Sequence, residues 1–136
     1  MATLADLGQE EFVSLTTYRR SGTGVSVPVW IAPAMDASGA LLVTTTERSG
    51  KVRRLRHNPM VQLRACDRRG TVVAGTPAIS ARAEIVEAAE EVRRLREAIR
   101  AKYGSRMKVI AADEGRVDPA EPARVILRIT AEGLNL

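Results

Sequence analysis

The chain has 136 residues, of which 45% are apolar and 27% charged, with 10 glycines and 6 prolines, as expected of one soluble domain over residues 1–136. No run nears the ~20 apolar residues of a membrane span, and the polar start from Met1 to Glu11 lacks the basic and apolar stretches of a secretory signal. The lone Cys66 excludes an internal disulfide or a cysteine-based zinc cage, so a cytoplasmic protein with no membrane partner is expected.

The charge is uneven in kind. Lys and Arg number 21 against 16 Asp and Glu, a net +5, yet only Lys51, Lys102 and Lys108 are lysines. Arginine stays charged and grips planar anions bidentately, which suits an anionic ligand. A general preference for Arg over Lys gives the same count. The aromatic residues are Phe12, Tyr18, Trp30 and Tyr103, too few to stack single-stranded bases, and no common nucleic-acid-binding motif is present. No nucleic-acid partner is expected.

Taken in chain order, Phe12 to Tyr18 and Val25 to Ile31 read as a β-hairpin around Arg20-Ser-Gly-Thr-Gly24, with Val25, Val27, Val29 and Ile31 sharing one face. Pro28 cannot donate to a ladder, which places the second strand at an edge or a bulge. After the turn Asp36–Gly39, Ala40 to Thr46 forms a third strand. Ser49 is a good N-cap for a short helix that stops at Asn58-Pro59, with Val52 and Leu55 on one face. Met60 to Cys66 alternates as a fourth strand, and Thr71–Ala74 with Ala78–Val86 supplies a fifth around Gly75 and Pro77. A long helix from about Ala88 to Tyr103 follows, with Val92, Leu95 and Ile99 in a stripe and charges that complement its dipole. Gly104 ends it, Ser105 caps a second short helix to about Ala112, and Glu114–Pro122 is a polar loop. Arg124 to Thr130 closes the fold as the sixth strand. Six strands and one substantial helix predict a small antiparallel barrel, β or α+β in class.

The segment Thr44–Arg56 carries the strongest chemical signal. A hydroxyl-rich strand end runs into a helix N-terminus bearing Gly50 and Lys51, with Arg54 one turn on. Free backbone N–H groups and partial positive charge make such a start a phosphate site; a solvated basic helix is the plain alternative. The Ser-Gly-Lys string is not a phosphate-binding P-loop. That motif needs a Gly where Thr45 stands and a Ser or Thr where Val52 stands. His57 has no second His or Cys partner and reads as structural, so no metal site is expected. Cys66 reads as a small buried hydrophobe. Trp30 falls on the face opposite its valine neighbours, where it lines either a ligand cleft or a subunit interface. Asp113, Glu114, Asp118 and Glu121 read as a solvated loop. With no catalytic side-chain constellation in view, a bound cofactor is the expected source of any chemistry.

Leu15–Tyr18, Gly24–Trp30, Val43–Glu47 and the run Ser49-Gly-Lys-Val-Arg-Arg-Leu-Arg-His-Asn-Pro59 resemble the pyridoxamine-phosphate-oxidase-like split β-barrel superfamily. More narrowly, they are similar to the flavin/deazaflavin oxidoreductases of actinobacteria, coenzyme F420-dependent enzymes. Cys66–Gly70, Tyr103-Gly104 and Val125–Thr130 extend the resemblance over nearly the whole chain. It implies a mainly β, six-stranded antiparallel split barrel with flanking helices, forming a homodimer with cofactor sites at the interface. It further implies that Lys51 holds the cofactor's phosphate, helped by Ser49, Gly50 and Val52. Thr44, Thr45 and Thr46 run beside the ribityl chain and ring, and Val29 and Trp30 flank the ring. Relatives often carry an Arg two residues before that Lys; here Ser49 stands there, leaving Arg48 or Arg54 to substitute. The implied activity is hydride transfer between F420 and a small organic substrate, with no side chain assigned as proton donor. The alternatives are an FMN-binding (or haem-binding) member of the superfamily, or a non-catalytic F420 or flavin carrier.

Overall fold

A computed structural model describes residues 4–36, 38–104 and 124–131. Seven antiparallel strands form a single curled sheet in the order β2-β1-β5-β6-β7-β4-β3. They are β1 (Phe12–Tyr18), β2 (Gly24–Trp30), β3 (Ala32–Pro33), β4 (Leu41–Thr46), β5 (Met60–Cys66), β6 (Ile79–Val86) and β7 (Arg124–Ala131). The two outermost strands, β2 and β3, are neighbours in the chain, separated only by Ile31. One bent run therefore pairs with β1 before the bend and with β4 after it. That run reconciles seven ladder segments with the six strands the sequence predicts: the architecture is a split barrel.

Alternation sorts the side chains into two layers. Val13, Leu15, Leu63, Val43, Leu127 and Ile129 point inward and form the barrel core. Helix α1 (Gly50–His57) closes one end of it with Val52 and Leu55, and a 3-10 turn (Ala5–Gln9) adds Leu7 near the start of β4. The sequence reading did not foresee that turn, whose only signal is the i, i+3 pair Leu4 and Leu7. On the outer face Phe12, Trp30, Ala32, Leu42 and Ile126 pack under helix α2 (Ala89–Tyr103), which buries Val92, Leu95, Ile99 and Tyr103.

Three differences from the sequence reading have local causes. Thr71–Ala74 is not a strand; only Val72 bridges, to Cys66, and a positive φ at Gly75 breaks the ladder. The third strand begins at Leu41, because Met35 and Gly39 both take positive φ in the turn before it. The expected Ser105–Ala112 helix and Glu114–Pro122 loop lie outside the described residues.

The end of α2 fastens the bend. Lys102 Nζ donates to the carbonyls of Gly8 (2.8 Å), Ile31 (2.7 Å) and Glu10, and the Tyr103 hydroxyl donates to Glu11 (3.2 Å) and Ile31. Burial lowers the Lys102 pKa, while Glu10 and Glu11 oppose that shift. Lys102→Met keeps the length of the side chain but removes a donor from the Gly8, Glu10 and Ile31 carbonyls, of which Ile31 keeps the Tyr103 hydroxyl. It is expected to cost about 2–3 kcal/mol in urea unfolding. Arg100→Met, whose only ion pair among the described residues is an exposed one at 3.8 Å to Glu97, should stay within about 0.5 kcal/mol of the parent.

Candidate functional site

The ladder between β3 and β4 ends at Ala32↔Leu42, and beyond it β2 and β4 separate. A cleft of about 400 Å³ opens in the gap. Val27, Pro28, Val29 and Trp30 form one wall, and Thr45, Thr46, Ser49 and Lys51 the other. Successive residues of a strand point to opposite faces. A cleft lined by four consecutive residues of β2 therefore runs along the strand's edge, through the barrel wall. Pro28, with no N–H to leave unpaired, suits that edge.

The basic wall is built by α1. Ser49 caps the helix, its Oγ accepting from Val52 N at 3.3 Å, and its own hydroxyl hydrogen remains a donor. Lys51 is half-buried. Burial lowers its pKa, and the guanidiniums of Arg54 and Arg124 lower it further. Arg54 folds back over the helix start, where a Cβ on Gly50 would stand 2.9 Å from its Nη1. Its Nε donates to the fully buried Thr17 Oγ1 at 2.6 Å. Gly50 is thus the space that lets Arg54 lie at the helix N-terminus beside Lys51.

The apolar wall is built by packing. Trp30 is 6% exposed and sits between Phe12 (4.6 Å, tilted) and Tyr103 (5.3 Å, edge-on). Arg68 stacks over its ring at 5.9 Å. The Arg68 turn is shaped by Asp67, whose Oδ1 accepts from Arg69 N and Thr71 N at 2.9 Å each. Gly70 rests against Pro28, 3.3 Å from the site of a Cβ, at a φ of 90° that also favours glycine.

Six of the ten residues singled out in the sequence, Val29, Trp30, Thr45, Thr46, Ser49 and Lys51, line this one cleft. Arg54 and Gly50 stand behind Lys51. Thr44 and Val52 do not reach it. Thr44 faces the outer layer, accepting from Arg124 Nε at 3.1 Å, and the Val52 side chain is wholly in the core with its amide taken by Ser49. Phe12, Val27, Pro28 and Arg68 line the cleft without having been singled out as cofactor residues. The Asp67–Gly70 turn signal points to Arg68; Phe12 carries none beyond its hydrophobicity.

The donor set fits a phosphorylated, ring-bearing cofactor. Lys51, the Ser49 hydroxyl and the start of α1 offer cationic and N–H or O–H donors to a phosphate. Val27, Val29 and Trp30 give a flat ring an apolar surface. No carboxylate occurs among the described lining residues. The described residues also contain no cluster of three or more potential metal ligands and no helix long and apolar enough to cross a membrane. His57 is exposed, its ring nitrogens 3.2–3.3 Å from Arg20 Nη2.

A family model for pyridoxamine 5'-phosphate oxidase matches residues 2–136. No curated protein matches the chain. Among solved structures, a conserved hypothetical protein from Mycobacterium tuberculosis is similar at 22% identity and TM-score 0.63, with 97% of this chain and 81% of that one covered. A FAD-binding protein from Mesorhizobium loti is similar at 16% identity and TM-score 0.60, covering 93% and 82%. A pyridoxamine 5'-phosphate oxidase-related, FMN-binding protein from Nostoc punctiforme gives 12% identity and TM-score 0.59, covering 89% and 70%.

Cys66 borders this region but is chemically quiet. It is buried, and burial first, then Asp67 and Glu10, push its pKa from 9.0 up to about 11. The folded state holds the thiol proton more tightly, so this contribution to stability is complete below about pH 9 and is lost as pH rises toward 11. At pH 8 the thiolate fraction is about a hundredfold below that of the unfolded chain. Iodoacetamide should therefore label the native protein at least that much more slowly than the urea-unfolded protein; equal rates would show an accessible, ionisable thiol.

Proposed function

The chain belongs to the pyridoxamine 5'-phosphate oxidase family of flavin-binding split barrels, and we propose that within it the protein is an F420-dependent oxidoreductase acting on a small organic substrate. The observation that carries this reading is the meeting of Lys51 and Trp30 across one cleft between parted strands, a cation for a phosphate facing an apolar wall for a ring. When bound, such a cofactor supplies hydride transfer to or from the substrate.

The residues of this chain bind, orient and exclude water. Lys51 and the Ser49 hydroxyl hold the phosphate, with the Gly50 and Lys51 amides at the helix start. Thr45 and Thr46 offer hydroxyls to the polar chain between phosphate and ring. Trp30, fixed by Phe12 and Tyr103, and Val29 keep water from one side of the ring. Arg54, pinned by Thr17 over Gly50, supplies the second cation that relatives place two residues before the lysine. The choice of F420 over FMN rests on charge. Arg54 and Arg124 lie close enough to depress the Lys51 pKa, and Arg68 lines the same cleft, a setting suited to the more anionic of the two cofactors. A homodimer whose second chain completes the cleft belongs to the same reading, with a cytoplasmic location.

Fluorescence titration with F420 and FMN in parallel tests the proposal. Tighter F420 binding, followed by substrate-dependent oxidation of the reduced cofactor, is the expected result; tighter FMN binding would return the protein to the FMN-binding alternative. Lys51→Ala should weaken the preferred cofactor about ten- to a hundred-fold while the fold is retained, because a charge-assisted contact is worth about 1.5–3 kcal/mol. Affinity should also fall as pH rises. Lys51 is charged below its lowered pKa and loses its proton at a lower pH than an exposed lysine would, and the phosphate contact goes with it. An unchanged affinity in Lys51→Ala would remove the lysine from the site.

A further inference from the structure

A second concavity, of about 300 Å³, lies on the outer wall between the beginning of α2 and the start of β7. Glu87, Ala89, Val92, Arg93, Arg96 and Arg124 line it. Three guanidiniums and one carboxylate thus face one small space. The carboxylate is already balanced: Glu87 Oε1 accepts from Arg56 Nη2 at 2.9 Å. Neighbouring Glu91 is likewise engaged, by Arg94 at 2.6 Å and by Arg128. Arg93 and Arg96, in contrast, have no hydrogen-bonded or ion-paired partner among the described residues. Arg124 is anchored from beneath by its Nε bond to Thr44 Oγ1 at 3.1 Å. Burial first, and then the nearby Arg96, push its pKa down to about 10.

Arg93 and Arg96 are three residues apart on α2, so they are neighbours on the helix surface. Their planar forks suit bidentate contact with one oxyanion. The small volume suits a compact ligand and not a polymer laid across a surface. The site is separate from the cofactor cleft, for the two share no described lining residue. We propose that this concavity binds a compact phosphate group, held by Arg93 and Arg96 against the charge of Arg124.

The test uses the full chain and inorganic phosphate, by isothermal titration at constant ionic strength set with chloride. A Lys51→Ala background removes the cation of the cleft, which keeps the outcome independent of the cofactor reading. Phosphate binding is expected to persist in Lys51→Ala and to weaken about ten- to a hundred-fold when Arg93→Gln and Arg96→Gln are added. Arg100→Gln, further along the same helix, should leave it unchanged. Arg96→Lys keeps the charge and loses the fork; a clear weakening there supports bidentate recognition even if the multiple variant fails to fold. Absence of binding in Lys51→Ala would overturn the proposal. So would binding indifferent to Arg93 and Arg96, or an equal loss in Arg100→Gln, which would reduce the effect to net charge.

Discussion

The loss of backbone pairing between β2 and β4 is the constraint on which the cleft depends. If the bent strand ran straight on past Ala32↔Leu42, Ile31 and Trp30 would face Val43 and Thr44, and the wall would close. The molecule stabilises the bend by giving its backbone other partners. The Ile31 carbonyl accepts from both Lys102 and Tyr103, and the Ile31 amide donates to Glu11 at 3.3 Å. Buried backbone groups must be paired. Once α2 supplies that pairing, opening the wall costs little in unmet hydrogen bonds at the hinge itself.

The same helix end sets the chemistry of the apolar wall. Tyr103 holds the Ile31 carbonyl with its hydroxyl and meets Trp30 edge-on with its ring. The position of Trp30 thus follows from the contact that fixes the bend. On the opposite wall the equivalent device is α1, whose N-cap, glycine and two cations all fall within the six residues from Ser49 to Arg54. A nonlocal clamp faces a local motif.

That difference explains what the sequence could reveal. Ser49, Gly50 and Lys51 were legible because a helix N-terminus is written in consecutive residues. Trp30 was legible because alternation put it out of step with Val27, Val29 and Ile31. Alternation also bears on the threonines: it separates Thr44, which turns to Arg124, from Thr45 at the cleft. Thr46 shares the Thr44 face by alternation yet lines the cleft at the strand's end, so alternation alone does not sort the three. Arg54 could be named but not placed, since its position rests on Thr17, 37 residues earlier. Phe12 and Arg68 reach the cleft through pairing between β1 and β5 and through a turn packed on Pro28. Such contacts are set by tertiary packing, which no local pattern encodes.

Strand β4 consequently divides two cationic environments. Thr45 turns toward Lys51 and the cleft, while Thr44 turns toward Arg124, beside Arg93 and Arg96. The separation is incomplete, because Arg124 is one of the charges that depress the Lys51 pKa. Interactions between partly buried charges are screened less than those across open solvent. With every cation fixed in place, an anion held on one side of β4 would therefore repel an anion on the other and weaken its binding there. The coupling would run through charge alone, with no movement of the strand, and by linkage it would be equal in both directions.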